Sequence, residues 1–453
     1  MLKKRVVLWW LIITGIICHM FLMTNINVAI ISMVKKPQDN NTESDKFDWN
    51  VQQQTMIFGA YYWFTWISQF AGGILSHKYG SKITFGLSNF IGCLMSSAIP
   101  AAAYIGWEVV VIVRVLQGTI ASVGLPAGIA TIIGQWSPPD ERGKFTSVML
   151  GIPLGISIGY TFFGFIADNL SWPYVFHTTM ILGSVWYVAW RYFVYDTPDE
   201  HPRISEHEKM YIKKSLANST TRENIPIPWK EILTSRPLLL NIICTFGTSW
   251  AFFGTSMFLP MYLKRMHDIS PTKIGLITGI SFLAKAILQI VGGAATDEMI
   301  RRGMSKTRVR NIAVLLGAVI APVLLACIIF VQYDVFWSLT LLMAYFMISS
   351  FTNNGTPVAV IDMSPNFCGI IQGITCALTA TTGFFCSLMF NLISSHCDES
   401  NTWGYFFLSS GLINVVPGVL FLLFSNSELQ PWNQPKESVG QVLSNLNVDN
   451  SQP

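Results

Sequence analysis

The sequence is short of charge. Only 12% of its residues are Asp, Glu, Lys or Arg, while 51% are hydrophobic. An ordinary soluble domain carries about 25% charged residues. Its eight cysteines are scattered, without the paired spacing of a zinc site or the framework of a disulfide-stapled fold. Its seven histidines show no metal-ligand spacing, and no nucleophile–base pair can be argued from the sequence, which speaks against an enzyme. No cofactor is expected. A cleavable signal peptide is not expected either. Lys3-Lys4-Arg5 leads into a hydrophobic run too long for an h-region and without a small-residue cleavage site.

In place of charge there are long charge-free runs. About 20 residues at ~1.5 Å each cover the ~30 Å of hydrocarbon in a bilayer. Six such spans fall within Val6–Val34, Trp49–Ser76, Ile83–Trp107, Val109–Pro139, Phe145–Ala167 and Asn169–Trp190. Six more fall within Pro237–Leu263, Ile274–Thr296, Asn311–Tyr333, Val335–Ile361, Met363–Cys397 and Ser400–Ser427. The chain thus divides into an N-terminal six-helix bundle (1–190), a linker (191–236) with eight Lys or Arg, a second six-helix bundle (237–427) and a tail (428–453).

Basic residues orient the spans. With the N-terminus in the cytoplasm, 21 of the 29 Lys and Arg collect in the inner turns, the linker and the two ends. The outer loops hold six, Lys35, Lys36, Lys46, Lys264, Arg265 and Lys273, and the last two, Arg114 and Lys285, lie inside spans. This bias predicts that both termini are cytoplasmic. The net charge of +4 therefore follows topology, and nucleic acid is not an expected partner. Asn40-Asn41-Thr42 falls in the first outer loop, so Asn40 is a glycosylation acceptor on the correct side.

Arg114 opens the run Val115 to Pro139, 25 residues without formal charge. A guanidinium there costs ~2.5–3.5 kcal/mol on insertion scales and should face a cavity or a partner. The functional reading is a fixed positive charge that meets an anion; the alternative is a structural arginine that snorkels or pairs with Glu108. Lys285, in GISFLAKAILQ, is the matching cation of the eighth span, with lipid contact or a polar partner as its alternative. Asn25 and Asn27 offer amides on span 1, to a substrate or to a packing helix. His19 in mid-span reads as a neutral imidazole bonded to a neighbour, with proton relay as the alternative. In span 2, Tyr61 or Tyr62 within Tyr61-Tyr62-Trp63-Phe64 can present a hydroxyl to a substrate path, and most of this cluster reads as packing.

An internal repeat organises the chain. Gln69-Phe-Ala-Gly72-Gly73-Ile-Leu-Ser-His77-Lys78-Tyr-Gly80-Ser-Lys82 lines up, at an offset of 220 residues, with Gln289-Ile-Val-Gly292-Gly293-Ala-Ala-Thr-Asp297-Glu298-Met-Ile-Arg301-Arg302. Paired glycines let backbones approach, and the charged turns after them, with Glu141 and Arg142 in the turn after span 4, read as inner-side latches. The fold class is an all-α membrane protein of twelve transmembrane helices in two pseudo-symmetric six-helix bundles, which is the layout of major facilitator carriers.

Gly73-x-x-x-His77-Lys78-x-Gly80-x-Lys82 resembles that superfamily's loop motif, with His77 where an aspartate is usual. Arg114-Val-Leu-Gln117-Gly118 resembles its fourth-helix motif. The chain is also similar to the anion/phosphate cotransporter family: sodium–phosphate cotransporters, sialin and vesicular glutamate transporters. Asn25-x-x-Val28-Ala29, Phe47-Asp48-Trp49, Leu125-Pro126-Ala127, Trp136-Ser137-Pro138-Pro139-x-Glu141-Arg142, His201-Pro202-x-Ile204-Ser205, Asp362-Met363-Ser364-Pro365 and Gln430-Pro431-Trp432 carry the likeness. The departures are specific. The resemblance implies an arginine where Met23 stands, in members that carry organic acids. It implies a histidine and an arginine at Phe58 and Thr248 in the vesicular glutamate branch, and glutamates at Gln117 and Ala121 in sialin-like members. It implies an apolar residue at Lys285.

The expected function is secondary active transport of inorganic phosphate or a small organic anion. Arg114, Lys285, Asn25, Tyr61, Tyr62 and Gln117 are the expected substrate-binding residues. Gly73, Gly80, Lys82, Glu141, Arg142, Asp297 and Arg301 are the expected gating residues. Entry of a monovalent anion against ~60 mV costs ~1.4 kcal/mol, so uptake needs a coupled cation. The missing helix-4 carboxylates favour sodium over the proton. The alternative is a transport-inactive carrier-fold protein acting as a sensor or partner platform. A monomer is expected. No acidic di-leucine signal appears in the N-terminal stub or in Glu428–Pro453, which favours the plasma membrane over lysosomal or vesicular membranes.

Overall fold

The computed structural model describes residues 3–34, 46–125, 127–138, 141, 145, 147–217 and 227–433. Twelve helical paths cross the bundle. In the first half they are α1 (Lys4–Met33), α2 (Val51–Ala60, then Thr65–Tyr79) and α3 (Ser81–Ser96, then Ile99–Ile105). They continue as α4 (Trp107–Ala121, then Ala127–Trp136), α5 (Gly151–Asn169) and α6 (Trp172–Phe193). The second half comprises α7 (Arg236–His267), α8 (Pro271–Arg301), α9 (Lys306–Val331), α10 (Val335–Met363), α11 (Cys368–His396) and α12 (Glu399–Phe424). Among the described residues, eight of these paths are long and apolar enough to span a membrane, and α3 adds a ninth bent by 43°.

Local chemistry sets several ends. Asn50 starts α2 with a capping box: its side chain accepts from the Gln53 N–H at 2.8 Å, and its own N–H donates to Gln53 Oε1 at 2.9 Å. Pro173, Pro237 and Pro271 occupy first-turn positions of α6, α7 and α8, where the missing N–H has no helical partner to lose.

Besides α3, which bends between Ser96 and Ile99, and α11, which breaks at Thr381, three paths are interrupted within their long uncharged runs. α2 breaks at Tyr61–Phe64, α4 after Ala121, and α10 at Ser350–Phe351. Tight turns keep the backbone paired there, as a bilayer interior demands. Tyr62 N–H donates to Gly59 O at 2.9 Å, Val123 N–H to Ile120 O at 3.2 Å, and Phe351 N–H to Ile348 O at 3.2 Å. α9 carries one wide turn at Leu315–Ile320.

The repeat is visible as packing. Gly72 on α2 lies against the Val123 carbonyl in the α4 break, and Gly292 on α8 lies against Phe351 in the α10 break. A Cβ at Gly72 would collide with that carbonyl, so glycine is required. The first glycine of each pair therefore makes the close approach. A Cβ on its neighbour Gly73 would stand 4.0 Å from the Ala127 Cβ, an ordinary van der Waals distance, so Gly73 makes no tight contact.

The longest seam between the halves is α5 against α8. The contacts joining the halves run from mid-bundle to the face opposite the linker. Ser157 Oγ donates to Gly279 O at 2.7 Å, and Thr272 Oγ1 donates to Asp168 Oδ2 at 2.7 Å. Asn27 Nδ2 donates to Tyr160 Oη at 3.0 Å, and Tyr160 in turn donates to the Ser256 carbonyl. Phe58 meets Phe258 edge-on at 5.9 Å, and Tyr62 meets Phe253 at 5.5 Å.

On the linker face, the helix Glu206–Ala217 docks on the start of α1. The Glu208 carboxylate accepts from the Lys4 and Arg5 N–H groups at 3.0 and 3.2 Å, and so caps α1. Lys213 and Lys209 hydrogen-bond Asp199 and hold its carboxyl below the usual range. The segment after α12 is not a free tail at its start. Asn433 accepts from Ser364 Oγ and the Asn366 N–H, both at 3.1 Å, at the end of α10.

Candidate substrate site

Arg114 sits on α4 two turns before the break and is only 1% exposed. Its Nη1 donates to the Leu22 carbonyl and to Gln117 Oε1, each at 2.8 Å, and its guanidinium lies 4.7 Å over the Tyr61 ring. Its Nε has no hydrogen-bond partner. Glu108 is not a partner, so carbonyl, amide and ring contacts stand in place of the structural ion pair. Carbonyl dipoles and an aromatic face partly offset a buried cation without cancelling its charge.

Gln117 extends the network. Its Nε2 donates to Gly92 O at 2.9 Å and to Ser96 Oγ at 2.8 Å. Asn25 Nδ2 reaches the same Ser96 hydroxyl at 3.3 Å and Thr179 Oγ1 at 3.4 Å. Tyr61 Oη stands 3.5 Å from His19 Nε2. Four of the residues expected at the site, Arg114, Gln117, Asn25 and Tyr61, are thereby brought into one buried cluster built from α1, α2, α3 and α4. Tyr62 turns the other way, onto Phe253 and over Gly383 of the second half. Ser96 and Thr179, which tie the cluster together, gave no signal in the sequence; isolated hydroxyls in apolar helices usually bond their own backbone.

Lys285 is 6% exposed on α8. Its Nζ donates to Ser349 Oγ at 2.9 Å, at the end of the first segment of α10, and lies 4.9 Å over the Phe252 ring. It is enclosed by α7, α8 and α10, so of its two alternatives lipid contact does not hold, while the polar partner is present as Ser349. It makes no ion pair among the described residues, and neither does Arg114. The ion pairs of the described residues sit at the ends of the helices: Arg5–Glu141 at 3.1 Å, Arg310–Asp362 at 2.9 Å, Lys306–Asp362 at 3.4 Å and others like them.

The turn residues differ from the expected pair of matching latches. In the first half, Gly80 has φ +81° and packs on the Asp196 carboxylate, which accepts from the Lys82 N–H at 2.7 Å. Lys82 Nζ lies 3.8 Å over the Tyr195 ring. In the second half, Arg301 pairs with Glu298 inside its own turn, and Asp297 is exposed. Among the described residues, Arg301 thus latches no other helix, whereas Lys306 and Arg310 at the start of α9 reach Asp362 on α10. The acid of that second turn, Glu298, lies three residues from Arg301, while the first half borrows Asp196 from the chain after α6. Glu141 bonds Arg5, a contact the sequence did not suggest. Arg142 and Asn40 lie outside the described residues.

Residues 12–385 match the family described as Major Facilitator Superfamily. The chain belongs to the major facilitator superfamily. It is 28% identical to vesicular glutamate transporter 1 of Xenopus laevis over 94% of this chain and 75% of that protein. It is 29% identical to sodium-dependent phosphate transport protein 1 of Oryctolagus cuniculus, over 91% of this chain and 89% of the other. Among solved structures, the inward open conformation of the E. coli xylose transporter XylE superposes with a TM-score of 0.66 at 13% identity, covering 92% of this chain and 95% of that one. This likeness concerns the fold. The protein is a carrier and not an enzyme.

Proposed function

We propose that this carrier moves inorganic phosphate or a small organic anion by alternating access between its two six-helix bodies, 1–190 and 237–427. The observation that carries the reading is a pair of buried cations, Arg114 and Lys285, one in each half and neither ion-paired among the described residues. An unpaired charge in a low-dielectric interior is costly, and a bound anion offsets that cost. The relatives named for glutamate and for phosphate support an anionic substrate.

Sodium is the coupling ion we favour, because Gln117 and Ala121 leave helix α4 without the carboxylates of a sialin-like proton route. We place both termini and the linker in the cytoplasm. The contacts opposite the linker then close the outer side, which makes this an inward-facing state of a monomeric carrier, with Asn40 glycosylated outside. The plasma membrane is our favoured location. The test is uptake of labelled phosphate, glutamate and sugar acids into oocytes expressing the chain, with and without sodium. Sodium-stimulated uptake of one anion is expected, and no uptake of any of them would leave a sensor or platform instead.

The gates give a further expectation. Tyr160→Phe keeps the ring but removes the outer-side bond to Ser256, worth ~0.5–1.5 kcal/mol. The ratio of inward- to outward-facing carrier should fall by about two- to tenfold, read as slower labelling of a cysteine placed on the linker face. We assign Gly73, Gly80, Lys82, Glu141, Arg142, Asp297 and Arg301 to the inner gate. Substitution of Glu141 or Arg301 should lower turnover more than apparent affinity, and a pure affinity loss would exclude that role.

A further inference from the structure

We propose that the last residues of the linker, 227–236, anchor the second half in the membrane leaflet on the linker face, and that this anchor takes an anionic phospholipid. Trp229 and Leu233 enter the boundary between headgroups and acyl chains, while Lys230 and Arg236 meet the lipid's phosphate and charged headgroup. The anchor serves whichever solute the carrier moves.

The short helix Trp229–Thr234 has little stability of its own, because six residues lie far below the length at which an isolated helix holds in water. One side chain ties it down. Ile232 is 2% exposed and belongs to the apolar cluster at the linker end of the second half. That cluster also contains Leu238 of α7, Val314 of α9, Val360 of α10, Ile371 of α11 and Phe421 of α12. The helix is therefore fixed to the half it precedes.

Its other face is left outside. Trp229 is 50% exposed and Leu233, one turn on, is 56% exposed. A spacing of four puts both on one side of the helix. Leu239 and Ile243 on the first turns of α7 are exposed as well, and so are Leu423 and Phe424 at the end of α12. A spanning helix shows such residues to lipid, so the lipid-facing surface extends past the start of α7 onto the linker. The linker residues just before this face, 218–226, contain one large apolar residue, Ile225, which is too little to cover it.

Charge sets the depth. The Arg236 guanidinium lies 4.7 Å over the exposed Phe424 ring and so bridges the start of α7 and the end of α12. Lys230 is exposed on the short helix. Neither cation has an ion pair among the described residues, and Glu231, the one acid of the segment, is engaged in a contact of its own. Tryptophan beside Lys and Arg at the end of a span is the composition of a membrane–water interface. Two cations without acidic partners at that depth select negatively charged headgroups.

The test places the full-length chain in lipid nanodiscs with a trace of photoactivatable lipid, its diazirine near the glycerol, and maps the adducts by peptide mass spectrometry. The probe is carried on phosphatidylserine or on phosphatidylcholine. Residues 227–236 should label, with phosphatidylserine ahead of phosphatidylcholine by about tenfold or more, since each cation near an anionic surface contributes about fivefold. Lys230→Gln combined with Arg236→Gln should bring the two lipids to near-equal labelling. Lys214→Gln, which removes one charge from the helix Glu206–Ala217, should leave the preference unchanged. Trp229→Ala combined with Leu233→Ser should lower labelling of the segment by both lipids. The wild-type chain alone decides the matter if a variant fails to fold. Equal labelling of 227–236 by the two lipids overturns the anionic partner. Adducts at Leu239 and Ile243 with none at 227–236 overturn the anchor and give this face to the tail, 434–453, or to a second copy of the chain. None of these readouts requires transport, so the anion-carrier reading stands or falls separately, on uptake.

Discussion

Arg114→Ala should abolish anion uptake while the protein still reaches the cell surface. Charge-assisted hydrogen bonds contribute ~1.5–3 kcal/mol, so losing one from the bound anion lowers uptake by about 10- to 150-fold, and losing two takes it below detection. Arg114 has the means: Nε carries no partner, while Nη1 is held by Leu22 O and Gln117. Those two bonds orient the guanidinium and are themselves lost in the variant. Truncation also leaves a void and an unpaired Gln117 oxygen, which costs stability of about 2–5 kcal/mol. Arg114→Gln separates the effects, because it removes the charge and fills most of the space. Surface biotinylation with uptake of the transported anion checks both variants. Wild-type uptake in either variant, at normal surface level, would remove Arg114 from the site.

Lys285→Met should impair transport, and adding Met23→Arg should restore part of it. Lys285 holds Ser349 at the α10 break and supplies the only cation inside a span of the second half. Met23 is half-buried on α1, at the position where the family resemblance implies an arginine. If the two positive charges serve one anion, moving the second cation from α8 to α1 keeps the count and recovers a fraction of the activity. The expected loss for Lys285→Met alone is tenfold or more, again from ~1.5–3 kcal/mol. The opposite outcome is equally readable. A lysine kept only for packing is an uncompensated buried amine, and methionine of similar length would be silent or stabilising. In that case the double variant would gain nothing over the single one.

Much of the site was legible in the sequence because charge within a span is expensive. Arg114 and Lys285 stand out against apolar runs, and the amides of Asn25 and Gln117 stand out for the same reason. Their partners did not stand out. Ser96, Thr179 and Ser349 are ordinary small residues, and only the rotation of α3, α6 and α10 about their axes brings their hydroxyls to the cluster or to Lys285. The matching glycine pairs were legible as a repeat, yet which glycine of each pair makes contact was not. Gly72 meets Val123 because α4 is broken there, and nothing in Leu125-Pro126 says how the freed backbone groups are paired again.

The sequence by itself determined the membrane class, the twelve spans, the two related halves and the two intramembrane cations. All of these follow from the partition of each residue between water and hydrocarbon, an energy that is nearly additive along the chain. Only the tertiary structure decided where α2, α4 and α10 break and which hydroxyls hold Arg114 and Lys285. It also decided that His19 and Arg114 share Tyr61, and that the halves meet opposite the linker. These depend on distances between residues far apart in sequence. Inside a bilayer every polar atom must find its partner within the protein, and that matching is settled between helices and not along them.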